Sequence, residues 1–278
     1  MAHLVQVGAG SGGMPVLDSV CQDPRITKVT LIEPDVYKPH NVPRHLFARH
    51  AVGDLKAQTA ETWLKERRPD LDVRLIINDL VDTAIEDEVD EALEAADIGV
   101  CAADNEVAKY HWDLLMRRHR KPWTLGEVLS GGIGGFVHWF VPDGPCYGCV
   151  ASYLGRTVKA EKEKAPDYSN PGGPAPETTI PASKASVQAI AALHALVTLD
   201  LLEHGTAYQP GFTTLLLILQ RVPDLPGFEE AFRSRRLRVE RAAECLICRP
   251  EMTPKSGPSS PEDLDVALDQ ALARLGHE

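Results

Sequence analysis

The chain has 278 residues, enough for one large α/β domain or two small ones. Its 44% hydrophobic and 25% charged residues are those of an ordinary folded domain, and a net charge of -11 argues against a nucleic-acid partner. No apolar run approaches the ~20 residues of a membrane span, and no basic-then-apolar leader precedes Leu4, so a cytoplasmic protein with no membrane partner is expected.

In chain order, Leu4 to Val7 is a short apolar run ending at Gly8 and reads as a buried strand. Gly10 to Cys21 carries apolar residues at helical spacing. Val29 to Ile32 is a second strand that closes on Glu33, and a turn-rich stretch follows from Pro34 to Pro43. Val52 to Arg67 reads as an amphipathic helix, Val73 to Ile77 as a third strand, and Ile85 to Ala96 as an acidic helix. Ile98 to Ala102 is a fourth strand. Val107 to His119 is a helix with a basic C-terminal end that suits the helix dipole. Strands alternating with helices imply right-handed crossovers and a mostly parallel sheet.

From Trp123 the pattern changes, and the Trp123 and Trp139 region reads as sheet packing. Gly134 to Val141 has the look of an antiparallel-type strand. Residues 156 to 180 are rich in Lys, Glu, Pro and Gly and read as an excursion from the fold. Ala182 to Glu203 is a long apolar helix stopped by Gly205. Thr213 to Gln220 and Arg235 to Glu240 read as late strands. Residues 251 to 278 form a Pro/Ser linker and an acidic amphipathic helix, Pro261 to Leu275. The expected fold class is α/β: a doubly wound, Rossmann-like, mostly parallel sheet with an antiparallel extension.

Three constellations carry chemistry. Gly8, Gly10 and Gly13 stand as GxGxxG between a strand and a helix, where glycines allow close approach to phosphates and the helix N-terminus supplies N–H donors. Glu33, twenty residues on, can accept hydrogen bonds from ribose hydroxyls. The pair points to an adenine nucleotide without separating ATP from NAD. Next come Asp35, Asn41 and Arg44, then Lys56 at a helix start, then Asp104 after the fourth strand. All lie at or just after the carboxyl ends of parallel strands, where ligands of open α/β sheets bind. Arg44 and Lys56 offer cations for a triphosphate, and Asp104 a carboxylate for Mg2+. Singly, each is an ordinary surface residue; the order of the set gives it meaning. Third, Cys146-x-x-Cys149 and Cys245-x-x-Cys248 offer four thiolates, the donor set of a structural Zn2+ that would clip two distant loops. Cys21 and Cys101 fall in apolar stretches and read as buried thiols. His40 and His45 read as polar loop residues.

As a group these motifs resemble the ThiF/MoeB and ubiquitin-activating-enzyme superfamily. The likeness runs from Gly8 to Gly13 through Glu33-x-Asp35, Asn41-x-x-Arg44, Gly53-x-x-Lys56 and Ala103-Asp104-Asn105. It continues in Ser130-Gly131-Gly132 and Gly135-Phe136-Val137, then in both cysteine pairs, and so covers about residues 4 to 250. It implies an adenylation domain over 1 to 250, with a nucleotide half (1 to 122) and a substrate and zinc half (123 to 250). The implied enzyme is an adenylyltransferase that activates the C-terminal glycine carboxylate of a ubiquitin-like or sulfur-carrier protein of β-grasp type. A homodimer and a downstream conjugating protein are implied partners. The resemblance assigns Glu33 to the ribose, Asn41, Arg44 and Lys56 to ATP phosphates, and Asp104 to magnesium-linked catalysis.

Two departures stand out. Relatives often carry an acceptor cysteine in the crossover loop, but here Glu177-Thr178-Thr179-Ile180-Pro181 has Thr178 in its place, so the adenylate is expected to pass onward directly or to form an oxyester on a hydroxyl such as that of Thr178, Thr179 or Ser169. Relatives also lend an arginine from a helix before the first strand, whereas this sequence starts at the strand. That leaves two other readings: a catalytically weak, partner-binding subunit of a heterodimeric activating enzyme, and an NAD(P)-linked oxidoreductase sharing the glycine motif.

Overall fold

The computed structural model describes residues 1–155, 182–243, 245 and 247–249. Thr178, the excursion at 156 to 180 and the helix expected at 261 to 275 lie outside the described residues. The first half alternates strand and helix: β1 (Ala2–Val7), α1 (Gly13–Cys21), β2 (Ile26–Ile32), α2 (Lys56–Arg67), β3 (Asp72–Ile76), α3 (Glu86–Glu94), β4 (Ile98–Cys101), α4 (Glu106–Arg118) and β5 (Trp123–Val128). Then follow β6 (Gly134–Phe140), α5 (Tyr147–Tyr153), α6 (Lys184–His204), β7 (Thr214–Ile218) and β8 (Ser234–Leu237).

One eight-stranded sheet holds them in the order β3-β2-β1-β4-β5-β6-β7-β8. The pairs from β3 to β5 are parallel, and those from β5 to β8 antiparallel. The expected α/β class with an antiparallel extension is therefore what forms. Strand order reverses between β1 and β4, which makes a crevice at their carboxyl ends.

Alternation along the buried strands sends successive side chains to opposite faces. Leu4 and Val100 pack with α1, α2 and α6; Val5 and Cys101 pack with α3, α4 and the cysteine loops. Each face has its own apolar core, and Trp112 and Trp123 are fully enclosed in the second.

Several expectations need correction. Trp123 to Val128 is a parallel strand beside β4, which the sequence reading treated only as packing. Gly126 interrupts its apolar pattern, and a Cβ there would meet His194 Nδ1 at 2.5 Å. α2 starts at Lys56 rather than Val52, because Gly53 takes φ +103° and residues 49 to 51 make a separate 3-10 turn. β8 stops at Leu237. The short helix α5 follows Cys146 and had no periodic signal. The run Lys184–Ala207 is long and apolar enough to cross a membrane by composition, contrary to the expectation that none is. Half of its most apolar window is buried here. It is apolar because it is wedged against α1 and the middle of the sheet.

Candidate active site

β1 delivers the chain to the crevice and the glycine turn redirects it into α1. Gly8 has φ +89°, and a Cβ there would stand 2.7 Å from the Ala102 carbonyl oxygen on β4's exit. A Cβ on Gly13 would meet the Gly8 carbonyl oxygen at 2.3 Å. Glycine is required at both positions for the turn to sit this tightly against β4. At Gly10 a Cβ would meet nothing within 4 Å, so that face of the turn is open. Gln6 clips the turn: its Nε2 donates to the carbonyls of Gly8 and Gly13, each at 2.9 Å. The sequence reading missed Gln6, although a polar residue inside an apolar strand was the signal. α1 has no side-chain cap at Gly12; the Met14 N–H already donates to the Gly10 carbonyl at 3.0 Å and Pro15 has no N–H, so of its first three residues Gly13 is the one left to offer an N–H to an anion.

Glu33 leaves the end of β2 with its side chain almost wholly buried. Its Oε2 accepts the Ala9 N–H at 2.6 Å and its Oε1 accepts the Asp35 N–H at 2.9 Å. Burial raises its carboxyl above the usual range; nearby Lys56 and the two N–H donors work against that rise. Lys56, the first residue of α2, places Nζ 2.7 Å from Asp35 Oδ2 and 3.8 Å from Glu33 Oε1. Its backbone N–H donates to the Asp35 carbonyl, which ties the helix start to the end of β2. A buried ammonium between two carboxylates is thus fixed beside the glycine turn.

The segment after β2 carries the rest. Asn41 Oδ1 accepts the Lys38 N–H at 2.9 Å and closes a 3-10 turn. The Asn41 carbonyl accepts from Arg44 and His45, which aims both at the glycine turn. Arg44 Nε donates to Ser11 Oγ at 3.2 Å. His45 is not the polar loop residue expected: it is buried. Its Nδ1 accepts the Phe47 N–H, so Nε2 carries the proton and donates to the Ala9 carbonyl at 2.9 Å. Burial pulls its pKa down to about 4. Glu33 and His45 therefore hold the N–H and the C=O of one residue of the glycine turn, Ala9.

Asp104 lies exposed on the loop after β4, across the crevice, and makes no hydrogen bond or ion pair among the described residues. Asn105 Oδ1 caps α4 by accepting the Ala108 N–H at 2.7 Å, which fixes the loop's end. Gly8, Gly10, Gly13, Glu33, Asp35, Arg44 and Lys56 are thus joined in one contact network. Asn41 serves it through the backbone; Asp104 is not joined to it by any contact among the described residues and stands two residues after Ala102, whose carbonyl lies against Gly8.

Cys146, Cys149, Cys245 and Cys248 have their sulfurs within 4.8 Å of one another. Individual separations are 3.4 Å for Cys146 and Cys245, 3.5 Å for Cys149 and Cys248, and 3.7 Å for Cys146 and Cys149. Tetrahedral Zn–S bonds of ~2.3 Å imply S···S edges of about 3.8 Å, so the set fits zinc. Cys149 Sγ also accepts the Ala242 N–H at 3.3 Å, a typical support for a thiolate. Burial opposes ionisation of Cys245, yet N–H donors from Cys248 and Ile247 bring its thiol down to about 7. Cys21 and Cys101, by contrast, are buried and pushed up to about 12, as inert thiols should be.

The family model described as "ThiF family" matches residues 2–232. A SAMP-activating enzyme E1 of Haloferax volcanii is 27% identical over 150 residues, 54% of this chain and 53% of that protein. Escherichia coli MccB solved with MccA-N7isoASN aligns at a TM-score of 0.66, 19% identical, over 89% of this chain and 67% of that one. MccB solved with ATP aligns at 0.61, 18% identical, over 89% and 66%. The chain thus spans about half the length of the SAMP-activating relative and about two thirds of MccB.

Proposed function

The chain belongs to the ThiF family, and from that premise we propose that it is an adenylyltransferase activating the C-terminal carboxylate of a ubiquitin-like or sulfur-carrier protein. One observation carries the reading: Lys56 held between Asp35 and Glu33, with Arg44 reaching Ser11, brings two cations to an uncapped helix N-terminus at the sheet's switch point. The ATP-bound MccB structure and the SAMP-activating relative support the same chemistry.

In this reading ATP lies over Gly8 to Gly13 with its ribose on Glu33. A carboxylate oxygen of the partner attacks the α-phosphorus, the bond to the bridging α–β oxygen breaks, and pyrophosphate leaves with those electrons. Arg44, Lys56 and the Gly13 N–H offset charge growing on phosphoryl oxygens, and Asn41 holds the segment that brings Arg44 there. Asp104 would hold Mg2+, which supplies charge neutralisation on the phosphates. The four cysteines would hold a Zn2+ whose role is structural, since all four positions are filled by protein. Water has to be kept from the acyl-adenylate. With no cysteine between residues 150 and 200, the adenylate passes to a sulfur donor or another protein, the oxyester on Thr178 being the second route. The proposal includes the division at residue 122, a homodimer and a cytoplasmic location.

The test is partner-dependent ATP–pyrophosphate exchange. Lys56→Ala and Asp104→Ala should each lower it by about 100-fold or more. Exchange persisting in both variants overturns the assignment.

A further inference from the structure

The chain that follows β8 straps the cysteine cluster together. The Ala242 N–H donates to Cys149 Sγ at 3.3 Å, and the Ala242 carbonyl accepts the Cys245 N–H at 3.3 Å. Arg241, the residue before, donates from Nη2 to the Cys248 carbonyl. Two consecutive residues thus meet three of the four cysteines and join the first CxxC pair to the second. Arg241 is half-buried. Hydrogen bonding to the Cys248 side chain holds its proton more tightly than usual; burial works against this, and the charges of Cys248, Cys149 and Cys146 reinforce it.

The cluster needs such a neighbour. Four thiolates around one Zn2+ leave a net formal charge of roughly −2. The cysteines are 0% to 9% exposed and belong to an apolar core with Trp112, Val150 and Val239. Charge in such a place is costly unless an opposite charge faces it. Asp113 on α4, itself wholly buried, has the wrong sign: after burial, its charge is the next largest influence pushing the Cys146 thiol up. Among the described residues, Arg241 is the one cationic side chain hydrogen-bonded to the cluster.

We propose that Arg241 is the positioning residue of this metal site: its guanidinium offsets the charge of the four thiolates, fixes the second cysteine pair, and so sets how tightly the metal is held. It acts on the ligands and does not touch the metal. A planar guanidinium suits the task, because one edge can serve the Cys248 carbonyl while its delocalised charge faces the sulfurs. Lysine would bring the charge without the fork, and methionine the length without the charge. The inference concerns the zinc site alone and stands apart from the adenylation reading.

The experiment uses the full chain loaded with zinc, and measures affinity by competition with a chromophoric chelator at one fixed pH and salt concentration. Arg241→Met should weaken zinc binding by about 10- to 100-fold, the range for removing an outer partner of a metal ligand. Arg241→Lys should recover part of that loss. Asp113→Asn, which takes a negative charge from the same surroundings, should bind zinc as tightly as the unmodified chain or more tightly. Co2+ in place of zinc reports on the thiolates directly. In Arg241→Met the sulfur-to-cobalt charge-transfer bands should move to longer wavelength, while the d–d bands of a tetrahedral site stay where they were. Should Arg241→Met fail to fold, Arg241→Gln keeps a donor for the Cys248 carbonyl, drops the charge, and carries the same expectations. Unchanged zinc affinity or unmoved cobalt bands in the uncharged variant overturn the inference. So does Arg241→Lys binding no better than Arg241→Met, or Asp113→Asn binding as weakly, since either result would make packing and not charge the cause. An unmodified chain that takes up no zinc removes the site itself.

Discussion

The Tyr147 hydroxyl donates to Glu106 Oε2 at 2.8 Å, and this bond joins the cysteine clip to the helix that follows Asp104. Tyr147 stands between two of the four cysteines; Glu106 is the first residue of α4, two residues after Asp104. Glu106 Oε1 in turn accepts from Lys109 at 2.8 Å, Lys109 donates to Glu127 on β5 at 2.7 Å, and Glu127 Oε2 meets His138 Nε2 at 2.9 Å. The cysteine cluster is thereby tied to the helix that follows the proposed magnesium acid. Tyr147→Phe should lower stability by about 1–2 kcal/mol in a denaturant melt, as expected for a lost hydrogen bond to a carboxylate. Zinc content should stay unchanged, because no ligand is touched. Loss of zinc in this variant would show that the clip depends on the bond, not the reverse.

Removing a ligand should act differently. Cys245→Ser leaves three thiolates and should abolish stoichiometric zinc measured by atomic absorption. Zinc binding contributes on the order of 10 kcal/mol in small zinc domains, and in a larger domain with two apolar cores only part of that is at stake. The expected result is a melt several degrees lower, matched by unmodified protein treated with a strong chelator. A chelated protein that melts unchanged would remove zinc from the folding of this chain.

The early strands and the glycine turn were legible because their signals are local: an apolar run, a glycine spacing and an acid twenty residues later. Both CxxC pairs were legible for the same reason, since thiolate pairs at that spacing have few other uses. β5 was not, because Gly126 breaks its pattern for the sake of His194 across the sheet. His45 was misread because its role depends on the Ala9 carbonyl 36 residues away. Gln6 was overlooked because its partners, Gly8 and Gly13, matter only once the turn is folded. α6 looked exceptional for its apolarity, and packing against both α1 and the sheet accounts for that composition.

His45 gives a pH prediction with a definite sign. Its folded pKa is about 4 and its unfolded value about 6.5, so between these limits the unfolded chain takes up the proton first. Stability therefore falls as pH drops from about 6.5 to about 4, by at most about 1.4 kcal/mol per pH unit from this one group. Burial of His194 adds to the fall in the same direction, with a folded value of about 3. Asp113, raised by burial to about 6, works the other way between about 3.8 and 6. The His45 share is isolated by His45→Gln, whose amide can still donate to Ala9 and cannot titrate. Urea melts from pH 4 to pH 7 should be flatter for this variant than for the unmodified chain. Parallel profiles would mean that His45 takes up its proton as readily in the fold as in the unfolded chain.

The glycines of one motif should fail in two distinct ways. Gly13 has the Gly8 carbonyl oxygen 2.3 Å from where a Cβ would stand, and that oxygen belongs to backbone pinned by Gln6. Gly13→Ala has to move the turn or α1, at a cost of about 1–3 kcal/mol or more, visible as a lower melting temperature without ligand. Gly10 has nothing within 4 Å of its virtual Cβ and no positive φ. Gly10→Ala should leave the melt within about 1 kcal/mol of the original, or raise it slightly by stiffening the unfolded chain. Its effect should appear on adding nucleotide, because the new methyl group occupies the open side of the turn where phosphates would approach. Isothermal titration with ATP should then show binding weakened about tenfold or more, in a protein as stable as before. Unaltered ATP affinity in Gly10→Ala would mean that the phosphates do not lie over this turn, whatever the stability of Gly13→Ala.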